Sequence, residues 1–203
     1  MNFKKIFSVA TAAFLFTSAA HAEDRFGVLA GIDINKLNGD VASTGSTTGF
    51  VGGLFAQRQY DGGLFGEVQL RYIEKGGSYT NGAIQTSASA SYIEIPVYAK
   101  YKFGTESGFI PYVFGGPSFA VNINSSAEAL DTATNQRTSF SDGGFNTFDL
   151  GLDFGVGAEY AVKDGINVSL SAAYNLGLLD VIAGAPNYTN RGFQFYAGVS
   201  MPY

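Results

Sequence analysis

The 203-residue chain contains no cysteine and no tryptophan, and its one histidine, His21, lies close to the N-terminus. Disulfide bonds and thiol chemistry are therefore excluded. Past His21 the chain also lacks the imidazole base on which Ser-His and Cys-His sites depend. A site built only from carboxylates is the alternative that remains for catalysis. We expect no catalytic site, no metal site and no cofactor.

Charged residues are scarce, and basic ones are the scarcer kind. Asp, Glu, Lys and Arg make up 14% of the chain, with 12 basic against 17 acidic residues. Nucleic-acid binding calls for a basic patch or stripe, and no segment of the sequence supplies one. We therefore expect no nucleic-acid partner.

Long hydrophobic runs are missing as well. The apolar run at residues 6–16 is well short of the roughly 20 residues that a spanning helix needs. Two lysines precede it and an A-x-A motif at 20–22 follows it, which is the pattern of a secretory signal peptide. We assign residues 1–22 to a cleaved signal peptide and residues 23–203 to one domain. Without the two lysines, that domain has ten basic and 17 acidic residues, a net charge of −7.

The main positive signal is strict alternation between two kinds of side chain. From 148 to 160 every even position is apolar or aromatic, and every odd position is Gly, Asp or Glu. The segment 166–176 repeats this period of two, with mostly Ser and Asn at its odd positions. A strand separates such residues onto two faces, and a helix cannot. Asp164-Gly165, between the two segments, predicts a hairpin turn.

Reading outward from this hairpin predicts eight strands joined by connections of alternating length. The predicted strands are 25–34, 48–58, 64–75, 90–103, 109–123, 147–162, 166–178 and 191–203. The short connections are 59–63, 104–108 and 163–165, and the long ones are 35–47, 76–89, 124–146 and 179–190. This alternation is typical of a transmembrane barrel with short periplasmic turns and longer extracellular loops. We predict an all-β fold, an eight-stranded antiparallel up-and-down transmembrane β-barrel, with a bulge near residues 115–117.

The apolar face of each strand is expected to meet lipid. The opposite face is rich in Gly, Ser and Asn, which suits the narrow interior of an eight-stranded barrel. Closure of the sheet then satisfies the backbone groups that lipid cannot. Aromatic residues near strand ends should form an interfacial girdle. They are Tyr60, Phe65, Tyr101, Phe103, Tyr160 and Tyr203. The alternative is a soluble, lipocalin-like barrel with its apolar face inward.

A few charged residues fall on the predicted inner face. They are Glu67, Arg71, Glu94, Lys100, Asp149, Asp153 and Glu159. Isolated charges in a narrow interior are costly, so we expect these residues to form ion pairs. If strands 64–75 and 90–103 are neighbours, one register brings Arg71 close to Glu94 and Glu67 close to Lys100. A small conducting channel is the alternative interpretation of these inward charges.

The C-terminal strand ends on an aromatic residue and has apolar residues at every second position before it. Phe195, Val199, Met201 and Tyr203 lie on that face. This pattern resembles the signal that outer-membrane barrels present to the barrel-assembly machinery. The alternative is an ordinary edge strand that happens to end on an aromatic residue.

Several stretches resemble the PorT-like family of small outer-membrane barrels. They are Gly27-Val-Leu-Ala-Gly-Ile-Asp33, Gly49-Phe-Val-Gly-Gly-Leu-Phe-Ala56, Gln69-Leu-Arg-Tyr-Ile-Glu-Lys-Gly76, Tyr92-Ile-Glu-Ile-Pro-Val-Tyr-Ala-Lys-Tyr101, Gly115-Gly-Pro117, Asp153-Phe-Gly-Val-Gly-Ala-Glu159 and Tyr174-Asn-Leu-Gly-Leu178. The resemblance implies a barrel in the outer membrane of a Gram-negative bacterium. It implies little about function, because only a few members are tied to protein secretion or gliding.

The function expected from these observations is structural or one of surface interaction, without catalysis. The expected partners are outer-membrane lipid with lipopolysaccharide, the barrel-assembly machinery, and an extracellular partner that the sequence does not identify. Two alternatives remain open. One is an accessory of an envelope protein-secretion complex, and the other is a small channel.

Overall fold

The computed structural model describes residues 24–39, 44–104, 108–141, 144–162, 165–182, 184 and 188–203. The predicted signal peptide lies outside these ranges. Within them the fold is all-β, and no helix is long and apolar enough to cross a membrane. The strands are β1 (Arg25–Asn38), β2 (Thr44–Asp61), β3 (Leu64–Asn81), β4 (Ile84–Lys102), β5 (Phe109–Asp131), β6 (Gln136–Phe140), β7 (Phe148–Ala161), β8 (Asn167–Gly177) and β9 (Thr189–Pro202).

Eight of these nine strands close into a ring of antiparallel neighbours. Strands β1 to β5 pair in chain order, β5 pairs with β7, and β8 and β9 follow. Strand β9 then pairs with β1 along its whole length, which closes the sheet. The prediction of an eight-stranded antiparallel barrel is confirmed. We call the end at which β1 begins and β9 ends the terminal end, and the opposite end the far end.

Alternation gives each strand an apolar outer face and a polar inner face. On β1, Val28 and Ile32 are exposed, whereas Asp33 and Asn35 are fully buried. Exposed apolar side chains continue around the ring. Examples are Leu54, Leu70, Val97, Phe119, Phe154, Leu170 and Phe195. This is the pattern of a barrel that faces lipid, and it is the reverse of the lipocalin-like alternative.

Several strands run further toward the far end than the sequence indicates. Strands β3 and β4 continue through the predicted loop 76–89 and meet at a turn whose first residue, Gly82, has φ +58°. Strand β5 runs on to Asp131, and β6 forms within the predicted loop 124–146. These two loop predictions are wrong over most of their length, and so is the prediction for 35–47, where β1 runs to Asn38 and β2 begins at Thr44. These polar segments form strands because their backbones pair with neighbouring strands. Their sequences lack the apolar alternation from which the other strands were predicted.

The predicted bulge at residues 115–117 is also wrong. Strand β5 pairs with β7 in one register throughout, and its register against β4 is the same on both sides of these residues. Because Pro117 has no N–H to donate, the ladder to β4 is interrupted there without a shift. The irregularity of this ladder lies instead between Ser91 and Tyr92, opposite the unpaired residue Ile123.

Five of the six aromatic residues predicted for the girdle lie exposed on the outer face. They are Tyr60, Tyr101, Phe103, Tyr160 and Tyr203. The prediction for Phe65 is wrong. Its odd position on β3 points it into the barrel, where it is 2% exposed. The Nζ atom of Lys102 lies 4.1 Å from the centroid of its ring.

The connections at the terminal end are short, as the sequence predicts. A two-residue turn joins β2 to β3, and its first residue, Gly62, has φ +50°. Between β7 and β8, the N–H of Val162 donates to the carbonyl of Ile166 at 2.9 Å, and Gly165 has φ +77°. Asp164, the other half of the predicted hairpin turn, lies outside the described residues.

Candidate functional site

An ionic network centred on Arg71 crosses the interior of the barrel. The Nε atom of Arg71 donates to Glu94 Oε1 at 2.8 Å, and Nη2 donates to Asp153 Oδ2 at 3.1 Å. Glu94 lies directly opposite Arg71 in the β3–β4 register, whereas Asp153 belongs to β7. None of these three side chains has exposed surface. The network therefore joins two walls of the barrel that are not neighbours in the sheet.

Lys75 is a second cation in this cluster. Its Nζ atom lies 2.6 Å from Glu94 Oε2 and 3.4 Å from Asp149 Oδ2. Asp149 also accepts a hydrogen bond from Asn190 Nδ2 at 2.8 Å. Sequence reasoning missed Lys75 because it was the last residue of a predicted strand, at the edge of a predicted loop. Its odd position in the period of β3 was the signal that could have found it.

A second ionic cluster lies nearer the terminal end. Lys100 contacts Glu67, which is one diagonal step from it across the β3–β4 ladder, as the sequence predicts. Lys102, two residues further along β4, donates to Glu159 Oε2 at 2.8 Å. Lys100 Nζ lies 3.9 Å from the other carboxylate oxygen of Glu159. All four side chains are at least nine-tenths buried. Glu159, on β7, thus links both lysines of β4 to a more distant wall.

Aromatic rings fill the space between the two clusters. The ring centroids of Tyr98 and Phe114 are 4.9 Å apart, and those of Phe114 and Tyr112 are 6.0 Å apart. The Tyr98 hydroxyl donates to Asp153 Oδ2 at 2.5 Å, which ties this layer to the first cluster. Lys100 Nζ lies 4.4 Å from the centroid of the Tyr112 ring, which ties it to the second. The interior is therefore filled by side chains at three successive levels.

Asp33 is a buried acid that the sequence analysis did not single out. It has no exposed surface, and neither of its carboxylate oxygens has a hydrogen-bond partner among the described residues. Gln194, its neighbour across the β1–β9 ladder, and Asn35 are equally buried, and their amide groups also lack partners within the described ranges. Asp33 thus lies inside the barrel without a direct ion pair to any described residue, although the charges of Lys75, Glu94 and Arg71 act on it. The alternation of β1 was the signal for its position.

The charged groups of this interior are held in place by ion pairs and hydrogen bonds. Its cations donate to carboxylates, and the carboxylates also accept hydrogen bonds from amide and hydroxyl groups of other strands. In the part of the chain that the structure describes, no group of three or more His, Cys, Asp or Glu side chains could hold a metal ion.

A second candidate surface is a sheet that extends beyond the barrel at the far end. We call it the far-end sheet. It consists of residues 76–81 of β3, 84–91 of β4, 124–131 of β5, and β6. At roughly 3.3 Å per residue, its β4 segment is about 26 Å long. All five residues of β6 are exposed, and the fold pairs β6 only with β5 among the described strands.

The turn of the far-end sheet is ordered by hydrogen bonds to Asp131. Its Oδ1 atom accepts from the backbone N–H groups of Ala133 at 2.9 Å and Thr134 at 3.3 Å. The hydrogen bond from the Thr134 side chain, followed by that from the Ala133 backbone, lowers the pKa of this exposed carboxyl. Nearby, Arg137 Nη1 of β6 pairs with Glu128 Oε1 of β5 at 2.6 Å. The sheet thus carries its own local contacts away from the interior.

The residues of the predicted assembly signal lie on the outer face of the closing strand. Phe195, Val199, Met201 and Tyr203 are all exposed. The first three lie opposite apolar residues of β1 in the ladder that closes the ring. Their position on an apolar outer face agrees with the sequence pattern, and their role in assembly stays a prediction.

Comparison with solved structures places this fold among small outer-membrane barrels. Neisserial surface protein A is 19% identical, with 92% of this chain and 100% of that chain covered and a TM-score of 0.53. OprG from Pseudomonas aeruginosa is 14% identical, with 91% and 99% covered and a TM-score of 0.53. Outer membrane protein W from E. coli is 15% identical, with 90% and 100% covered and a TM-score of 0.50. At these identities the likeness concerns the fold alone.

A search of curated proteins returns no match. Residues 21–183 match a family described as the outer membrane protein beta-barrel domain. The match covers most of the chain, and it agrees with the closed ring, the apolar outer face and the filled polar interior. The protein belongs to the outer membrane protein beta-barrel domain family and is a protein of the outer membrane.

Proposed function

We propose that this barrel has a structural or surface-interaction role and that it presents the far-end sheet outside the cell. The observation that carries the proposal is the contrast between its two ends. The terminal end has short turns, whereas the far end carries a sheet about 26 Å long whose edge strand β6 is fully exposed. In barrels of this kind the short turns are periplasmic and the longer segments extracellular.

The filled interior argues against the channel alternative. Arg71, Glu94 and Asp153 come from three strands and meet with no exposed surface, so the cross-section at their level is occupied. An eight-stranded barrel has an interior just wide enough for side chains to fill it. We accordingly expect no conductance when the purified protein is inserted into planar bilayers. Discrete conductance steps that disappear with heat-denatured protein would instead support a small channel.

Single-cysteine labelling tests the proposed orientation, because the chain contains no cysteine of its own. A83C places a thiol at the tip of the far-end sheet, and D61C places one at the terminal-end turn between β2 and β3. A membrane-impermeant maleimide should label A83C in intact cells and D61C only after the outer membrane is opened. The opposite pattern would place the far-end sheet in the periplasm and overturn the proposal.

Assembly is proposed to depend on the C-terminal strand and on the barrel-assembly machinery. Replacing both Phe195 and Tyr203 with Ser removes two exposed aromatic side chains from the outer face of β9. The amount of heat-modifiable barrel in outer-membrane fractions should fall, while export continues. The control replaces both Tyr60 and Tyr101, two exposed aromatic residues on other strands, with Ser. Equal losses for the two pairs would assign the effect to the girdle in general.

The proposal also covers catalytic activity and membership of a larger complex. We infer that the protein lacks catalytic activity, since past His21 the chain contains neither histidine nor cysteine. An accessory role in an envelope secretion complex, of the kind to which a few PorT-like proteins are tied, is the alternative. Such a role would use the terminal-end turns, so crosslinking from D61C to a periplasmic partner would favour it over the surface role.

A further inference from the structure

A polar groove of about 370 Å³ lies across strands β2 to β5, where the barrel passes into the far-end sheet. Its lining includes Thr48, Tyr72, Glu74, Ser91, Asn124 and Ser126. Below it, toward the terminal end, the outer face is apolar, with Phe50 49%, Leu70 51% and Ile93 37% exposed. The groove therefore begins where the lipid-facing surface ends.

Two irregularities in the strand ladders shape this groove. The β2–β3 ladder is interrupted and shifts register between Gly45 and Val51, and in this gap the backbone N–H of Phe50 donates to Glu74 Oε2 at 3.1 Å. The β4–β5 ladder shifts between Ser91 and Tyr92. Such shifts bend a strand locally and re-aim its side chains. They occur on both sides of the segment that carries Glu74.

The polar groups of the groove are held in place by one another. The Tyr72 hydroxyl donates to Glu74 Oε1 at 2.8 Å and lies 2.9 Å from Ser91 Oγ. Ser89 Oγ and Ser126 Oγ are 3.2 Å apart on the neighbouring strands. The groove thus presents a fixed carboxylate beside several hydroxyl groups and the amide of Asn124.

The charge of the groove selects the kind of head group it can hold. Glu74 makes no ion pair with any described residue. Lys75 also lines the groove, but its ammonium group is engaged inside the barrel by Glu94 and Asp149. A phosphate would face the carboxylate, and among the described residues that line the groove no other cation is there to receive it. The hydroxyl groups of a sugar can donate to Glu74 and can both donate to and accept from the serine hydroxyls.

We propose that this groove binds a sugar ring of an outer-leaflet glycolipid, with the acyl chains of that lipid lying on the apolar surface around Leu70 and Ile93. The binding partner is identified by three features together. The groove is continuous with the lipid-facing surface, its described lining residues offer no available cation, and it carries a carboxylate fixed among hydroxyl groups. The proposal rests on the outward orientation of the far end, which places the groove at the level of the outer leaflet's sugars.

Binding of rough lipopolysaccharide, which carries core sugars on lipid A, tests the proposal with the purified barrel in detergent. E74Q should weaken the affinity about tenfold, because a hydrogen bond from a sugar hydroxyl to a carboxylate is stronger than one to a neutral amide oxygen. D61N removes an acidic residue from the terminal end of the same hairpin and should leave the affinity unchanged. Phosphatidylglycerol, a lipid with no sugar ring, should bind more weakly and should not distinguish E74Q from the unmodified protein.

The sign of the E74Q effect is the decisive outcome. Lipopolysaccharide is anionic, so attraction governed only by net charge would make E74Q bind more tightly. Tighter or equal binding by E74Q, or equal affinity for phosphatidylglycerol, would overturn the proposal. If E74Q loses the heat-modifiable gel shift of a folded barrel, Y72F provides the second variant, since it keeps the ring and removes the hydroxyl that holds Glu74. Y72F should weaken binding about threefold, and an unchanged affinity would again contradict the proposal.

The outcome can be separated from that of the proposed function. Binding in detergent does not depend on which end faces outward, whereas the labelling of A83C does. Sugar-dependent binding together with periplasmic labelling of A83C would keep the groove and reject the surface role. Outward labelling without sugar-dependent binding would do the reverse.

Discussion

Two Arg–Glu ion pairs in this protein join neighbouring antiparallel strands, and they lie in opposite environments. Arg71 and Glu94 have no exposed surface inside the barrel, whereas Arg137 and Glu128 on the far-end sheet are 63% and 43% exposed. Both pairs are in direct contact, so distance does not distinguish them. What differs is desolvation. Breaking the interior pair leaves a charge that water cannot reach, while breaking the outer pair leaves charges that water solvates.

The largest effect is expected from breaking the interior network at its centre. R71M leaves Glu94 and Asp153 without their shared cation and should lower the free energy of unfolding by about 3–5 kcal/mol. The measurement is urea unfolding of the protein refolded in detergent micelles. The double variant R71M/E94Q should recover part of the loss, because it removes one of the two carboxylates that Arg71 neutralises, and Lys75 keeps Asp149 as its partner. If single and double variants unfold alike, the Arg71–Glu94 contact does not carry the energy assigned to it.

The next effect concerns the outer face of the same barrel. Leu54 is exposed near the middle of the apolar surface of β2, so L54R should destabilise the barrel by about 2–4 kcal/mol in lipid bilayers. The matched control is T80R, which places the same side chain on the exposed far-end sheet. T80R should leave the free energy of unfolding nearly unchanged. Equal effects of the two variants would mean that Leu54 does not face lipid.

A sharper comparison sets two buried aspartates against each other. Asp153 accepts from Arg71, Tyr98 and Asn175, whereas Asp33 has no partner among the described residues. D153N should cost about 2 kcal/mol, because it weakens charge-assisted hydrogen bonds. D33N should be neutral or stabilising, since it removes an unpaired carboxylate from the interior. The same urea titration measures both, and a larger loss for D33N would contradict the assignment.

The smallest effect is expected from the exposed pair. E128Q should change the free energy of unfolding by less than about 1 kcal/mol, and raising the salt concentration should remove that change. The interior variants should be far less sensitive to salt, because buried pairs are poorly screened. The comparison is made by repeating the unfolding measurements at low and high ionic strength. Salt-sensitive behaviour of R71M would indicate that water and ions reach the network.

How far the sequence predicts the site depends on whether a residue lies on a strand with a clear alternation. A single antiparallel register between strands 64–75 and 90–103 is enough to place Arg71 beside Glu94, because that register holds along the whole hairpin. Asp149 and Glu159 were assigned to the inner face by the same period. The ion-pair partners of Asp149 and Glu159 depend on which strands face each other across the interior. The alternation within a single strand does not show which strands these are.

The parts that the sequence analysis missed share a physical cause. Residues 76–91 are mostly Gly, Ser, Thr and Ala, so they lack the apolar alternation from which a strand can be predicted. They are strands because β3, β4 and β5 continue to pair with one another beyond the barrel. Phe65 and Lys75 show the same limit at strand ends. Phe65 was assigned to the outer girdle because it is aromatic, and Lys75 was left out because it borders a predicted loop. The period of β3 places both side chains inside the barrel.

The strand period, the apolar outer face, the closed antiparallel ring and the inward position of the charged residues can all be predicted from the amino-acid sequence. Each of these follows from local alternation and from connections that are short at one end. Three further features depend on the folded arrangement: which charges meet, the absence of a direct ion pair at Asp33 among the described residues, and the extension of one wall into the far-end sheet with a polar groove at its base. Those features arise between strands that are distant in the chain, or from backbone pairing that is indifferent to side-chain type, and neither leaves a periodic trace in the sequence.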